Sequence, residues 1–300
     1  MKNYGIHMRI SGCTFVRNGF LLGYPVKESL NSLASFCDEV IIAIGDSEDE
    51  TLTYVKSLNN PNIRIIETQW DDSMREGGRI LAQQTNIALA ECTGDWIVYL
   101  QADEVLHEQD MKPLRESISK ANERSDIEGL LFDYHHFFGD YDHVGLGRQW
   151  YRKEIRAIKN SGSVISWKDA QGFRLLEPNA NARKLRVMQA NAHIYHYGWV
   201  RNPSAFLRKQ AAFGRLYHDD AWLSEHLPTS EEFPKCYELG LFTGTHPSIM
   251  HERIKEDAIW ACKFDPTRTN PRPFAVAICD GIERITGKRI FEYKNYELLS

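Results

Sequence analysis

Short apolar runs alternate with helical spacings of apolar residues along the first hundred residues of the chain. The runs, which are rich in β-branched residues, are Met8 to Val16, Glu39 to Ile44, Ile63 to Glu67 and Trp96 to Leu100. Between them, apolar residues recur at intervals of three and four, which is typical of amphipathic helices. This repeated order of strand and helix predicts βαβ units and a parallel sheet with right-handed crossovers.

Turn and capping signals mark the ends of these elements. Pro25 stands where the first turn of a helix tolerates proline. Ser47 has an acid three residues later, which predicts that it caps the second helix. Gly77-Gly78 opens the third helix, and Thr93-Gly94 ends it before the fourth apolar run.

The second half of the chain contains further strands and then mostly helices. The predicted strands are Ile127 to Tyr134, Glu154 to Ile158, Val164 to Trp167 and Ala192 to Val200, with an aromatic and histidine-rich loop over 135–143. The turn signal Asn160-Ser161-Gly162 predicts that the second and third of these strands form an antiparallel pair. The predicted helices are Asp110 to Arg124, Ala205 to His218, Pro247 to Ala261 and Phe274 to Ile285.

This pattern predicts the organisation of the whole chain. We expect an α/β domain over residues 1–200, built on an open, mostly parallel mixed sheet flanked by helices. A helical C-terminal extension over residues 201–300 is expected to pack on that domain.

Composition narrows the classes of function. A chain of 300 residues with 42% hydrophobic content can bury a large core. The formal net charge of -5, with both signs interspersed, lacks the basic footprint of nucleic-acid binding, so no nucleic acid partner is expected. The six cysteines include no Cys-x-x-Cys pair, which argues against a zinc site or a disulfide framework. Without a signal peptide or a span of ~20 apolar residues, the expected location is cytoplasmic.

Polar residues follow several of the predicted strands. The run from Gly94 to Glu104 ends its apolar strand in Gln101-Ala102-Asp103-Glu104. In open α/β sheets the carboxyl ends of the strands form the ligand-binding edge. Two adjacent acids there need solvent, a partner or a cation, and a divalent metal ion that carries a diphosphate would neutralise them. The other polar groups expected at this edge are Thr14 to Asn18, Asp46 to Thr51, Asp169, His193 and His196.

Several common α/β functions lack their motifs in this sequence. No Gly-x-Gly-x-x-Gly follows the first strand, and there is no Gly-x-x-x-x-Gly-Lys-Ser/Thr or Gly-x-Ser-x-Gly. Dinucleotide-binding, P-loop and α/β-hydrolase functions are therefore disfavoured.

Three segments together resemble the family 2 glycosyltransferases of GT-A fold. The segments are Thr14-Phe15-Val16-Arg17-Asn18, Gly45 to Thr51, and Asn86 through Trp96 to Glu104, and their order and spacing match over residues 8–107. The resemblance implies that the first loop and the Ser-x-Asp-x-Thr turn hold the nucleotide of a sugar donor. The residues it assigns to the nucleotide are Thr14, Val16, Asn18, Asp46 and Asp49. It also implies that Asp103 is the ligand of a divalent metal and that Gln101 contacts the ribose.

The sequence departs from the family pattern at two positions. Gln101 stands where an aspartate is usual, and its amide can still hydrogen-bond a ribose hydroxyl but adds no charge. Gly45 stands where many members carry an acid that reads uracil, and Asp46 could substitute for it.

The downstream half supplies candidates for catalysis. An inverting transfer needs a carboxylate that deprotonates the acceptor hydroxyl. Asp169 falls where the family carries its catalytic acid, and Glu177 and Asp142 are the alternative bases. The resemblance further implies a late histidine on the metal, and His196 is the candidate, which would favour Mn²⁺ over Mg²⁺. Arg79 could meet the donor phosphate at a helix start, or it could be a solvated surface charge.

The sequence therefore predicts a metal-dependent, inverting glycosyltransferase that uses Mn²⁺ or Mg²⁺ and a nucleotide-sugar donor, with UDP as the expected nucleotide. The expected acceptor is a glycan or a lipid-linked molecule. Two alternatives stay open. The first is an inactive nucleotide-sugar or carbohydrate-binding protein, which the replacement of an acid by Gln101 motivates. The second is a sugar nucleotidyltransferase, although such an enzyme needs a glycine-rich basic loop after the first strand and this loop offers only Gly12 and Arg17. The basic residues Lys288, Arg289 and Lys294 predict weak peripheral contact with the inner face of a membrane.

Overall fold

A computed structural model describes residues 8–178, 181–228, 230–233 and 235–300. The N-terminal elements are β1 (Ile10–Val16), α1 (Val26–Phe36), β2 (Glu39–Gly45), α2 (Thr51–Ser57), β3 (Ile63–Thr68), α3 (Arg79–Leu89), β4 (Trp96–Tyr99), β5 (Glu104–Leu106) and α4 (Glu108–Asn122). The middle of the chain contains β6 (Gly129–Phe138), β7 (His143–Gly145), β8 (Lys153–Lys159), β9 (Val164–Trp167), β10 (Gly172–Leu176), β11 (Ala182–Lys184) and β12 (Arg186–Trp199). The last third holds α5 (Pro203–Gly214), α6 (Asp220–His226), β13 (Leu239–Leu241), α7 (His251–Ala261), α8 (Phe274–Thr286) and β14 (Glu297–Leu298).

One large mixed sheet carries the fold. Its strand order is β13-β7-β6-β8-β4-β1-β2-β3, and β12 joins it beside β6. The strands β3, β2, β1 and β4 are all parallel, whereas β8 runs antiparallel to both β4 and β6. The long strand β12 runs parallel to β6 and antiparallel to β5. The predicted α/β class with a mixed sheet flanked by helices is confirmed.

Helices cover both faces of the central strands. Leu33 and Phe36 of α1 pack with Leu114 of α4 against one face. Ala88 and Leu89 of α3 pack against the other face. All four residues of β4 are consequently buried, which explains why this strand reads as a continuous apolar run and does not alternate.

Two local predictions are wrong. Strands β8 and β9 do not pair with each other: β9 pairs with β10 in a separate three-stranded sheet that includes β11. The five central residues of β8 are all buried because the strand lies inside the main sheet, between β4 and β6. The predicted loop over 135–143 is also incorrect at its start, since β6 continues to Phe138 along β12.

The predicted cap of α2 is replaced by a different arrangement. The Ser47 hydroxyl accepts a hydrogen bond from the Asn18 amide at 3.0 Å and donates one to the Gly45 carbonyl at 3.0 Å. Asp49 Oδ1 accepts from the Thr51 amide at 3.0 Å at the start of the helix. The loop after β2 is thus tied to the loop after β1, which fixes the edge of the sheet where both strands end.

Helices dominate after Pro203, as predicted. Helix α5 begins at Pro203, with the Asn202 side chain accepting from the Ala205 amide at 2.8 Å. Strand β14 returns to the large sheet and pairs in parallel with β12. The division into residues 1–200 and 201–300 stays a prediction. No helix within the described ranges is both long enough and apolar enough to span a bilayer.

Candidate active site

The turn after β4 is held by a buried ion pair. Arg156 of β8 donates to both carboxylate oxygens of Glu104, at 2.8 and 2.9 Å, and neither side chain is exposed. The Tyr134 hydroxyl and the backbone amide of Gln101 also donate to Glu104, at 2.7 and 3.0 Å. With its oxygens occupied in this way, Glu104 shapes the turn and leaves Asp103 as the acid that faces the ligand-binding edge.

A cavity of about 860 Å³ lies at this edge. Its lining includes the predicted site residues Val16, Asn18, Gln101, Asp103, Asp169 and His196. These residues come from loops and strands that are far apart in the sequence. The structure therefore brings the predicted metal ligands, ribose contact and base to one space.

Other predicted residues do not line this cavity. Thr14 is buried within β1, and Asp49 accepts from the Leu21 amide at 2.8 Å. Asp46 pairs at 3.1 Å with Arg17, which does line the cavity. Arg79 is exposed and lies 3.3 Å from Glu76. Their contacts with a donor stay predictions.

The alternative candidates also lie elsewhere. Glu177 pairs with Arg183 at 3.1 Å. His193 Nδ1 lies 3.2 Å from Asp110, whose carboxylate also accepts from the His193 backbone amide. Neither these two candidates nor Asp142 is among the residues that line the cavity.

Asp103 is almost fully buried beside two basic side chains. Its Oδ2 atom lies 3.4 Å from Lys209 Nζ and 3.7 Å from His196 Nε2. Burial opposes ionisation of this carboxyl, but the charges of Lys209 and Arg201 outweigh it and hold the pKa of Asp103 well below its usual range. Asp103 is therefore a carboxylate at neutral pH and can bind a cation.

A pair of histidines orients the ring of His196. His136 Nε2 lies 2.7 Å from the Tyr151 carbonyl and must donate to it, and burial lowers the pKa of His136 so that its Nδ1 carries no proton. The Nδ1 atoms of His136 and His196 are 2.9 Å apart, so His196 is the donor between them. A neutral His196 then has its lone pair on Nε2, on the side of Asp103. A hydrogen bond from the second ring nitrogen of this kind is typical of histidines that bind metals.

Gly198 keeps the space between these two donor atoms open. A Cβ atom at Gly198 would lie 2.6 Å from Asp103 Oδ2 and closer still to His196 Nε2. No cluster of three or more His, Cys, Asp or Glu side chains suited to a metal is found within the described residues. Two protein donors and an open space fit Mn²⁺ or Mg²⁺ whose other ligands are phosphate oxygens and water, and the imidazole favours Mn²⁺.

Asp169 projects from a strained turn between β9 and β10. Its neighbours Lys168 and Ala170 both have left-handed backbones, with φ of 55° and 61°. Such conformations in residues other than glycine cost about 1 to 3 kcal/mol each and persist only where the surrounding structure enforces them. The Gln101 side-chain amide donates to the Ala170 carbonyl at 3.4 Å, and the Tyr217 hydroxyl donates to Asp169 Oδ2 at 3.4 Å.

The turn that carries Asp169 separates two cavities. The second cavity has a volume of about 690 Å³. The residues that line both cavities are Gln149, Trp150, Tyr151, Asp169 and Gln171. Asp169 can therefore contact a molecule in either space.

Trp70 explains one departure from the family pattern. A Cβ atom at Gly45 would lie 2.5 Å from Trp70 Nε1, so the indole ring occupies the space that an acidic side chain at this position would need. The Arg17 guanidinium lies over the Trp70 ring at 5.4 Å, and Phe15 packs beside it. Phe15, Arg17 and Trp70 line the first cavity and offer a flat surface for a nucleobase.

Sequence reasoning missed several residues of the site. Lys209, Trp70 and Tyr217 belong to none of the predicted motifs, and His136 falls in the stretch predicted as an aromatic and histidine-rich loop. Lys209 had a detectable signal, because it lies three residues after Phe206 and four before Phe213, in the middle of an apolar helix face. A lysine in that position needs a partner, and the partner is Asp103.

The parallel strands β1 to β4, with an acid-bearing turn after β4 and a cavity at their carboxyl ends, define a GT-A type of α/β transferase fold. The chain belongs to glycosyl transferase family 2, whose sequence model matches residues 25–174. The matched segment contains Asp103 and Asp169, whereas His196 and Lys209 lie beyond it. No curated protein matches the sequence.

Several solved structures are similar to this chain at low sequence identity. Residues 1–349 of S. aureus TarS are 16% identical over an alignment that covers 68% of this chain and 64% of that one, with a TM-score of 0.40. Glucosyl-3-phosphoglycerate synthase from Mycobacterium tuberculosis, solved with Mn²⁺, UDP and phosphoglyceric acid, is 16% identical over 43% of this chain and 44% of that one, with a TM-score of 0.30. This chain spans less than two thirds of the length of each of these proteins.

Proposed function

We propose that this glycosyltransferase moves a sugar from a UDP-linked donor to a hydroxyl of a glycan or lipid-linked acceptor, with inversion at the anomeric carbon. The observation that carries the proposal is that the Asp103–His196 pair and Asp169 face one cavity of about 860 Å³. The Asp103–His196 pair can bind a cation beside the diphosphate, and Asp169 can accept a proton from the attacking hydroxyl. The second cavity is lined by Asp169 but by neither Asp103 nor His196.

The donor would lie along the carboxyl ends of β1 to β4. The uracil ring would stack near Trp70 and Phe15, and the side-chain amide of Gln101 would hydrogen-bond a ribose hydroxyl. The diphosphate would then reach the Asp103 end of the cavity, where Lys209 also lies.

Asp103 and His196 are the residues that would hold Mn²⁺ or Mg²⁺. A divalent ion bound there supplies positive charge to the diphosphate as it leaves. The role of His136 is to keep the proton of His196 on Nδ1, and Gly198 leaves the coordination space open.

Asp169 would act as the base from its position between the two cavities. The acceptor oxygen attacks the anomeric carbon, the bond from that carbon to the diphosphate oxygen breaks, and the hydroxyl proton passes to the Asp169 carboxylate. The second cavity would hold the acceptor, since aromatic rings such as Tyr293 and Trp167 line it and can stack on sugar faces.

The test is a survey of nucleotide sugars with and without Mn²⁺, in which UDP release and transfer to glycan acceptors are measured. Asp169→Asn is expected to lower kcat by about 10²- to 10⁴-fold and to leave UDP binding unchanged. Asp103→Asn is expected to abolish the metal dependence of turnover. Glu177→Gln, which alters a carboxyl outside the cavity, serves as the matched control. Full metal-dependent turnover in Asp103→Asn would refute the assignment of Asp103.

A second candidate function is an inactive nucleotide-sugar-binding protein of the same fold. Two observations favour it: Gln101 replaces an acid, and Lys209 already lies beside Asp103. Calorimetry separates the two functions. An inactive protein would bind a nucleotide sugar with no dependence on metal and would release no UDP over hours.

The weak membrane contact predicted from the basic C-terminal residues also belongs to this proposal. Lys288 and Lys294 are exposed, and Phe274 and Ile285 of α8 are 81% and 87% exposed. Arg289 contributes less than predicted, because it lies 3.5 Å from Glu292. Pelleting with vesicles that contain anionic lipid tests the contact, and absence of the protein from the pellet would exclude it.

A further inference from the structure

The Lys209 side chain reaches the cation-binding end of the cavity from α5. Its Nζ atom donates to the Gly198 carbonyl at 2.9 Å and lies 3.4 Å from Asp103 Oδ2. The rings of Tyr24, Trp199 and Phe213 surround the ammonium group at 5.1 to 5.8 Å. The side chain is largely withdrawn from solvent, with 13% of it exposed.

The ammonium group retains capacity for a ligand. A lysine has three N–H donors, and the contacts with protein oxygens among the described residues are those with Asp103 and Gly198. Lys209 is also one of the residues that line the donor cavity.

Lys209 and a metal ion would compete for the same atom. Both need Asp103 Oδ2, which is also the carboxylate oxygen that faces His196 Nε2. Two cations within a few ångströms repel each other strongly in a poorly solvated site. The ion can therefore enter the space beside Gly198 only when the ammonium group moves away from Asp103.

We propose that Lys209 is a tethered cation that neutralises Asp103 in the donor-free protein and transfers to the donor diphosphate when the divalent ion binds. This inference rests on the proposed function, since it takes a nucleoside diphosphate as the ligand. Lys209 is thus a phosphate-binding residue, and it makes the binding of metal and of diphosphate mutually dependent. Each ligand favours the same displaced position of the lysine, so each increases the affinity for the other.

Binding measurements on Lys209→Met test this inference without reference to turnover. Methionine fits the aromatic cage and removes the charge. Mn²⁺ binding alone is followed by the loss of the free-ion EPR signal, and UDP binding is followed by calorimetry with and without Mn²⁺. Arg208→Met is the matched control, because Arg208 is the adjacent residue on α5 and donates to the Leu21 carbonyl.

The expected results have opposite directions for the two ligands. Lys209→Met should bind Mn²⁺ alone at least tenfold more tightly than the wild type, because the competing cation is gone. It should bind UDP without metal at least tenfold more weakly, because a phosphate contact is gone. The factor by which UDP increases Mn²⁺ affinity should fall to the part that direct contact between the ion and the diphosphate supplies, whereas Arg208→Met should keep the wild-type factor.

Unchanged Mn²⁺ affinity and unchanged UDP affinity in Lys209→Met would overturn the inference while leaving the proposed function intact. Failure of the wild type to bind UDP with or without Mn²⁺ would instead refute the proposed function. Lys209→Gln, which can still donate to the Gly198 carbonyl, is the second variant, and the same two shifts are expected for it. Thermal melts of each variant verify that the fold is retained.

Discussion

Arg156 joins the two acid-bearing turns of the site, because it binds Glu104 after β4 and the Gln171 carbonyl after Asp169. The contacts with Glu104 are 2.8 and 2.9 Å, and the contact with the Gln171 carbonyl is 3.0 Å. The guanidinium group is fully buried, so these contacts form in a region that water does not reach. The relative position of Asp103 and Asp169 therefore depends on this side chain of β8, together with the contact of Gln101 with the Ala170 carbonyl.

Loss of Arg156 should destabilise the protein strongly. Arg156→Met leaves the Glu104 carboxylate buried without its partner, which typically costs about 3 to 5 kcal/mol. Chemical denaturation measures the free energy of unfolding. Arg64→Met is the control, because Arg64 and Glu91 form a pair that is about half exposed, and it should cost at most about 1 kcal/mol. Equal effects of the two variants would contradict the structural role given to Arg156.

A methyl group at position 198 should close the metal site and leave its ligands in place. Gly198→Ala puts a carbon atom between Asp103 Oδ2 and His196 Nε2, so Mn²⁺ affinity should fall at least tenfold. Titration with Mn²⁺ measures the change. Gly281→Ala adds a methyl group in open space on α8 and should leave Mn²⁺ affinity unchanged. If Gly198→Ala binds Mn²⁺ as the wild type does, the ion does not use this space.

Removal of the Trp70 ring should weaken nucleotide binding. Stacking of a nucleobase on an aromatic side chain contributes about 1 to 3 kcal/mol, so Trp70→Ala should raise the Kd for UDP by roughly 5- to 150-fold. Trp222→Ala is the control, because Trp222 stacks on histidines of the α6 region and does not line the cavity. An unchanged Kd in Trp70→Ala would place the base elsewhere.

Glu154 should make stability depend on pH. Burial raises the pKa of this carboxyl to about 7, although Arg156 and the Ile155 amide act in the opposite direction. Below the pKa of the unfolded chain the carboxyl is protonated in both states and has no effect. As the pH rises from about 4.5 to about 7, only the unfolded state ionises, so the folded wild type loses stability.

The variant Glu154→Gln removes this titration. Its free energy of unfolding should match that of the wild type near pH 4 and exceed it by roughly 3 kcal/mol above pH 7. Denaturation curves over this pH range measure the difference. Glu256→Gln changes an exposed residue of α7, and its stability should follow that of the wild type at every pH. A constant difference between Glu154→Gln and the wild type would contradict the buried carboxyl.

The central part of the fold could be predicted because its signals are local. The apolar runs at β1 to β4 and the helical spacing between them are each readable within about ten residues, and the acids that follow the strands mark their ends. Asp103 is predicted at the end of its strand for this reason, whereas the role of Asp169 comes from the resemblance to the family 2 glycosyltransferases. The partners of β8 could not be predicted in this way. A buried strand with a nearby turn signal is compatible with a hairpin as well as with insertion into the large sheet.

The missed residues depend on contacts between distant parts of the chain. Arg156 lies 52 residues from Glu104, and Lys209 lies 106 residues from Asp103. Nothing in the local pattern around Glu104 shows that a buried arginine will occupy both of its oxygens. His136 falls in the stretch predicted as an aromatic and histidine-rich loop, whereas β6 continues through it to Phe138 and buries His136.

The residues of the site are synthesised in two groups, one before β12 and the other with it or after it. Asp103 and Asp169 are made before this strand, and His196 and Lys209 are made with it or after it. His196 pairs in register with His136, which lies 60 residues earlier in β6. The ring that orients His196 is therefore synthesised before His196 itself. A growing chain therefore carries Asp103 before its neighbours His196 and Lys209, and the basic group that lies 3.4 Å from Asp103 is added only when α5 has left the ribosome.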